Sequence, residues 1–213
     1  KSDLRELVKE YVAMGFHIYA TSGTASRLNS VGISSTLVKK PKEAKEGEKL
    51  MQGIFGPSFD YYAIRERRRE LVRERLAQYG LEKKPGVEET LRFLRAKGIK
   101  TAVATATALD ITKSHLTTIG VCDLFDSIVS AKNVAHGKPE PDVYLYACEQ
   151  IGERPQDCMA VEDSPNGIMA AYRAGLRTVM VPDLTQPDEE LTKYLYACVN
   201  SLSDLCELVD KED

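Results

Sequence analysis

An apolar run, Cys158-Met159-Ala160-Val161, gives way at once to two adjacent carboxylates, Glu162 and Asp163. Ser164-Pro165-Asn166-Gly167 follows and opens a helical pattern. A short buried strand, a polar end and a helix start, in that order, belong to a parallel α/β sheet, where ligands sit beyond the carboxyl ends of the strands. Two acids side by side at such an end repel each other unless a cation or a basic group compensates. Hard oxygen donors there suit Mg2+, which is commonly held by one or two carboxylates and a substrate phosphate. The other reading of the same residues is that Asp163 caps the following helix.

Two further stretches share this grammar. Lys100-Thr101-Ala102-Val103-Ala104-Thr105-Ala106-Thr107 is a buried strand that ends in hydroxyls and small residues. His136-Gly137-Lys138-Pro139-Glu140-Pro141-Asp142 is a loop that holds one Lys between Gly and two prolines. A hydroxyl, a Lys and paired acids, each at the end of its own βα unit, are the parts a phosphate site with a metal needs.

The three motifs in this order resemble the haloacid dehalogenase superfamily, in its β-phosphoglucomutase-like branch of phosphatases and mutases, from about residue 53 to about residue 208. The resemblance implies that Thr105 and Ala106 bind phosphate oxygens. It gives Lys138 the task of neutralising phosphate and nucleophile, so that Thr105 and Lys138 are its catalytic candidates here. It implies that Glu162 and Asp163 position Mg2+. The implied substrate is a small phosphorylated metabolite such as a sugar phosphate, attacked by an Asp to give an aspartyl-phosphate. The family's first motif, an Asp-x-Asp-Gly run carrying that nucleophile and the general acid, has no match in residues 1–60. Asp3 lies in a helical start and Asp60 in an aromatic, helix-like stretch. The expectation is therefore a phosphate grip with impaired chemistry, and Mg2+ held weakly or not at all.

Upstream, residues 2–14 place Leu4, Leu7, Val8, Tyr11 and Val12 on one helical face. Residues 16–20 and 33–38 read as strands, with Thr21-Ser22-Gly23-Thr24 opening a helix between them. That loop reads either as an anion cradle at a helix start or as an ordinary turn capped by Thr24, which the spacing favours. Residues 1–46 also resemble part of a methylglyoxal synthase-like domain, in the version found at the end of carbamoyl phosphate synthetase large subunits. That resemblance implies phosphate or a phosphorylated effector on Thr21, Gly23 and Thr24. Two partial α/β domains in one chain suggest a recombined or engineered chimera. In it, strand 16–20 or 33–38 would take the place of the missing central strand, so that two long edges are not left unpaired.

The mixed-charge run from Lys39 to Glu48 is the sharpest change of composition and marks a junction. The expected division is 1–46, a helical cap remnant at 47–84, and an α/β core at 85–213. Residues 59–79 read as one helix rich in Arg and Glu, with Leu71, Val72 and Leu76 as its apolar stripe. From Val87 onward helices and strands alternate without hairpin signals, which predicts a doubly wound, Rossmann-like parallel sheet with a partial helical cap. A formal charge of −3 gives no general attraction to nucleic acid. The absence of a long apolar run predicts no membrane span and a cytoplasmic protein. Five scattered cysteines without Cys-x-x-Cys read as buried thiols. The three histidines form no spaced cluster. The sequence leaves oligomeric state open.

Overall fold

The computed structural model describes residues 2–38, 44–183 and 185–211, with backbone alone for residues 2–7, 22, 23, 27 and 44. The chain divides into two compact units, Lys1–Gly80 and Leu81–Asp213.

The N-terminal unit runs α1 (Ser2–Ala13), β1 (Tyr19–Ala20), α2 (Ser22–Asn29), β2 (Thr36–Leu37), α3 (Ala44–Phe55) and α4 (Tyr61–Tyr79). β1 and β2 pair in parallel, Tyr19 opposite Thr36, in a two-stranded sheet of their own. This corrects the expectation that one of them fills a place in the larger sheet. Ala20, Ala25, Leu28 and Ile33 form a small core, with Val8, Ile18 and Val31 against it. Of the charged run at 39–48, residues 39–43 lie outside the described residues, and from Ala44 onward the chain is helix α3, with Lys45 and Glu46 exposed. A Cβ at Gly47 would run into the Tyr61 ring, so a glycine there lets α3 and α4 approach.

α4 begins where the Asp60 carboxylate accepts the Ala63 N–H at 2.9 Å, an ordinary N-cap. The expected apolar stripe does not hold: α4 buries none of its residues, and Leu71 and Val72 are exposed. Ion pairs lace its surface instead, Glu66 with Arg69 and Arg73, and Arg67 with Glu70 and Glu74. Such exposed, solvent-screened pairs add little to stability.

The C-terminal unit runs α5 (Val87–Ala96), β3 (Ala102–Thr105), α6 (Leu109–Thr118), β4 (Ser127–Ser130), α7 (Asp142–Ile151), β5 (Met159–Glu162), α8 (Pro165–Arg173), β6 (Arg177–Met180), α9 (Glu189–Thr192), β7 (Ala197–Cys198) and α10 (Asp204–Asp210). β3 pairs with β4, and β5 with β6 and β6 with β7, all in parallel. The fold is the expected α/β one, but the pairing forms two half-sheets. α7 packs on β3 and β4, α8 packs on β5 and β6, and the two helices touch. One core results, with Val129 of β4, Val143 and Tyr144 of α7, Ala160 of β5 and Ala170 and Ala171 of α8. Helices pack closely where their facing residues are this small.

α8 starts at Ser164, whose hydroxyl accepts the Gly167 N–H at 3.2 Å. Pro165 follows at the first helical position, where its missing N–H costs nothing. Asp163 is therefore not the cap. Ile168 is fully buried beside Met180 and Leu191. Truncating it, Ile168→Ala, should cost about 2–5 kcal/mol, read as a lower urea midpoint at unchanged slope.

The cysteines are unpaired, Cys148 buried and Cys198 exposed. Burial, then a hydrogen bond with Cys158, pushes the Cys148 thiol up to about 12. Because the thiolate is the reactive form, iodoacetamide at pH 8 should alkylate Cys198 first and leave Cys148 intact until the chain unfolds. Mass spectrometry of peptides would show the order.

Candidate active site

Lys138 is the centre of the site. The loop that carries it is pinned from both sides. The Asp142 carboxylate accepts from the His136 backbone N–H at 3.1 Å and lies 3.0 Å from His136 Nδ1. Arg173 of α8 donates to Pro139 O at 3.1 Å and to Glu140 at 3.0 Å. Partial desolvation pulls the Asp142 carboxyl up, but the hydrogen bonds from the His136 ring and backbone outweigh it and leave it below the ordinary range.

So held, the Lys138 ammonium donates to Ala104 O at 3.0 Å, to the Tyr144 hydroxyl at 3.2 Å, and to Glu162 in a short ion pair. The Tyr144 O–H donates in turn to the same Glu162 oxygen. The other Glu162 oxygen accepts from Ser164 Oγ at 3.1 Å. The side chains of Lys138 and Glu162 are only 16% and 9% exposed, so each charge depends on the other to offset its lost hydration. Burial first, then the Glu162 and Asp163 charges, pushes the Tyr144 hydroxyl well above the ordinary tyrosine value, which keeps it a donor. Gly167 completes the seat: a Cβ there would overlap the Glu162 carboxylate.

The carboxyl end of β3 adjoins this group through Ala104. Thr105 Oγ1 accepts the Thr107 N–H at 3.1 Å, and the turn is anchored from the next strand. The hydroxyl of Ser130, fully buried at the end of β4, donates to Thr107 O at 2.6 Å. Ala106 and Thr107 are exposed, and Asp163 stands exposed just past the end of β5.

The structure thus brings Thr105, Lys138 and Glu162 together at the carboxyl ends of β3 and β5, with Ala106 and Asp163 next to them in the chain. Thr21, Gly23 and Thr24 are in the other unit, at the start of α2. There Thr21 is the N-cap residue, without a side-chain cap bond, rather than Thr24. Ser130, Tyr144, Ser164 and Gly167 were not foreseen as parts of the site. A hydroxyl ending an apolar strand, repeated in Thr105 and Ser130, was a usable signal for the first; nothing in the periodicity marks Tyr144.

Among the described residues no cluster of three His, Cys, Asp or Glu could hold a metal ion. Of the expected pair, Glu162 is turned into Lys138, Tyr144 and Ser164, which leaves Asp163 as the open carboxylate. As folded, the two acids do not form a two-carboxylate Mg2+ site.

With that geometry in view, comparison with known proteins decides the family. The family model of haloacid dehalogenase-like hydrolases matches residues 36–181. The chain belongs to that family. Hexitol phosphatase B of Escherichia coli is 33% identical over 128 residues, covering 60% of this chain and 56% of that protein. The phosphorylated carbohydrates phosphatase of Thermotoga maritima is 35% identical over 99 residues, 46% of each chain. The chain spans about half the length of the curated relatives it matches. Among solved structures, a HAD family hydrolase of Deinococcus radiodurans with bound phosphate and sodium superposes with a TM-score of 0.62 at 23% identity, over 92% of this chain and 95% of that one. Likeness at that identity speaks for the fold. Phosphatases of this family generally use Mg2+. No helix among the described residues is long and apolar enough to cross a membrane.

Removing one partner of the central pair strands the other. Lys138→Met should cost about 3–5 kcal/mol, while Lys138→Met combined with Glu162→Gln should cost less than the sum of the two single changes. Urea unfolding of the four proteins of that cycle measures the coupling.

Proposed function

We propose that this chain is a haloacid dehalogenase-type phosphohydrolase or phosphomutase scaffold for small phosphorylated metabolites, sugar phosphates among them, with weak turnover. The observation that carries the reading is the Lys138 ammonium at the carboxyl end of β3, one residue from the Thr105 hydroxyl. An anion arriving there meets a fixed cation and hydroxyl in a partly water-excluded place, where charge stabilisation is strongest. The relatives that act on phosphorylated sugars, by name, support the substrate class.

Weak turnover is what these 213 residues by themselves lead us to expect. Residues 1–60 contain no Asp-x-Asp run. Covalent phosphoryl transfer needs an attacking carboxylate, and a general acid contributes about 10²–10⁴-fold. Glu162 supplies neither, since its oxygens accept from Lys138, Tyr144 and Ser164. Mg2+, when bound, would offset phosphate charge, and Asp163 is the residue placed to contribute to it.

One observation favours a second reading, a non-catalytic scaffold with residual phosphate binding. The three protons of the Lys138 ammonium already have acceptors in Ala104, Tyr144 and Glu162. A phosphate must therefore take one of those places. The chimera reading of residues 1–46 belongs here as well, with Thr21, Gly23 and Thr24 as its phosphate loop; it rests on the loop sequence at the start of α2.

Purified protein assayed with para-nitrophenyl phosphate and sugar phosphates in Mg2+ should show no enzyme-like turnover. Calorimetry with phosphate and Mg2+ should still show binding at millimolar ligand, lost in Lys138→Ala. Clear turnover that the same substitution abolishes would overturn the impaired reading; no heat from the unaltered protein would remove the phosphate site.

A further inference from the structure

The hydroxyl of Tyr144 touches both members of the buried ion pair. It accepts from the Lys138 ammonium at 3.2 Å and donates to the Glu162 oxygen that the lysine also holds. Its placement is fixed from two directions. The Tyr144 N–H bonds Pro141 O at 2.9 Å, which ties the first turn of α7 to the lysine loop. The residue is only 7% exposed and belongs to the core with Val143, Ala160 and Ala171. Packing alone would be met by a phenylalanine. A hydroxyl taken so deep costs free energy unless it finds partners, and here both partners are charged.

Glu162 is held by more than the lysine. Lys138 and Tyr144 donate to one of its oxygens, and Ser164 donates to the other. A phosphate that draws the ammonium toward itself lengthens the bond between Lys138 and Glu162. The carboxylate is 9% exposed, so little water is at hand to make up that loss. The Tyr144 O–H stays on the oxygen that the lysine gives up, and Ser164 stays on its neighbour. Neither oxygen is left bare.

We propose that Tyr144 is a positioning residue for phosphate binding, whose hydroxyl holds Glu162 while Lys138 is shared with the ligand. The role rests on the phosphate reading and adds to it a residue that acts only through Lys138 and Glu162. Removing the hydroxyl does release one lysine proton. That proton faces the packed core side of the site, where it does not serve an anion arriving from solvent. The larger effect is on Glu162, which then depends on the lysine alone at that oxygen and releases it less readily.

Titration of the purified chain with inorganic phosphate, without Mg2+, tests the role through the amide NMR shifts of Thr105 and Ala106. Tyr144→Phe keeps the ring and should weaken binding by about tenfold, as expected for a lost hydrogen bond to a charged group. Glu162→Gln should bind phosphate at least as tightly as the unaltered chain, because a neutral amide does not compete for the ammonium. In that background Tyr144→Phe should change the affinity by less than about twofold, since no carboxylate remains to be held. A merely structural role for the ring would weaken binding equally in both backgrounds. Urea unfolding gives a check without phosphate: Lys138→Met should lower the midpoint further in Tyr144→Phe than in the unaltered chain. Equal affinity of Tyr144→Phe and the unaltered chain, equal losses in both Glu162 backgrounds, or a midpoint shift indifferent to Tyr144 would overturn the positioning role alone. No phosphate-induced shift in the unaltered chain would instead remove the phosphate reading, and this role with it.

Discussion

The C-terminal unit depends on how one ammonium and one carboxylate are kept charged with little water around them. Lys138 and Glu162 sit where two half-sheets approach, and neither alone would be stable so far from solvent. The arrangement becomes tolerable because the other Lys138 protons and the second Glu162 oxygen also find partners. Ala104 and Tyr144 take the other Lys138 protons, and Ser164 holds the second Glu162 oxygen. The surrounding sequence reads as support for this network. Two prolines and a His–Asp contact stiffen the lysine loop, Arg173 ties that loop to α8, and a serine starts α8. A network with its members paired in this way favours one arrangement, whereas a half-satisfied one would cost more than an apolar core.

The same network bears on the proposed chemistry. Groups satisfied by one another have little reason to rearrange for a ligand, and under the proposed function a phosphate would compete with a neighbouring carboxylate for the lysine. Lys138 already has acceptors in Ala104, Tyr144 and Glu162. The proposed binding and turnover would require that the lysine be shared.

Much of this was readable from residue order. The βα steps from β3 to β6 follow from apolar runs closed by Gly or hydroxyls, and Thr105, Lys138 and Glu162 were placed together because each stands at the end of its own βα unit. What could not be read depends on partners distant in sequence. The reach from Tyr144 to Glu162 crosses 18 positions and leaves no periodic trace. The role of Glu162 as the partner of Lys138, rather than of a metal alone, depends on a rotamer that sequence does not show. α4 misled for a different reason. Leu71, Val72 and Leu76 lie at helical spacing, but spacing says which residues share a face and not whether anything covers it. The two short strands β1 and β2 were found as strands, yet their choice of each other as partners was beyond propensity.

Gly167 shows how an absent atom can belong to a site. In the first turn of a helix an alanine would ordinarily be the better residue, and by that measure the glycine looks like a weakness of α8. Its missing methyl is the space in which the Glu162 carboxylate rests. Helix stability and charge placement therefore compete for a single position. A residue with no functional group of its own becomes as intolerant of change as the acid and the lysine it accommodates, and anyone looking for the site by chemical reactivity alone would pass it over.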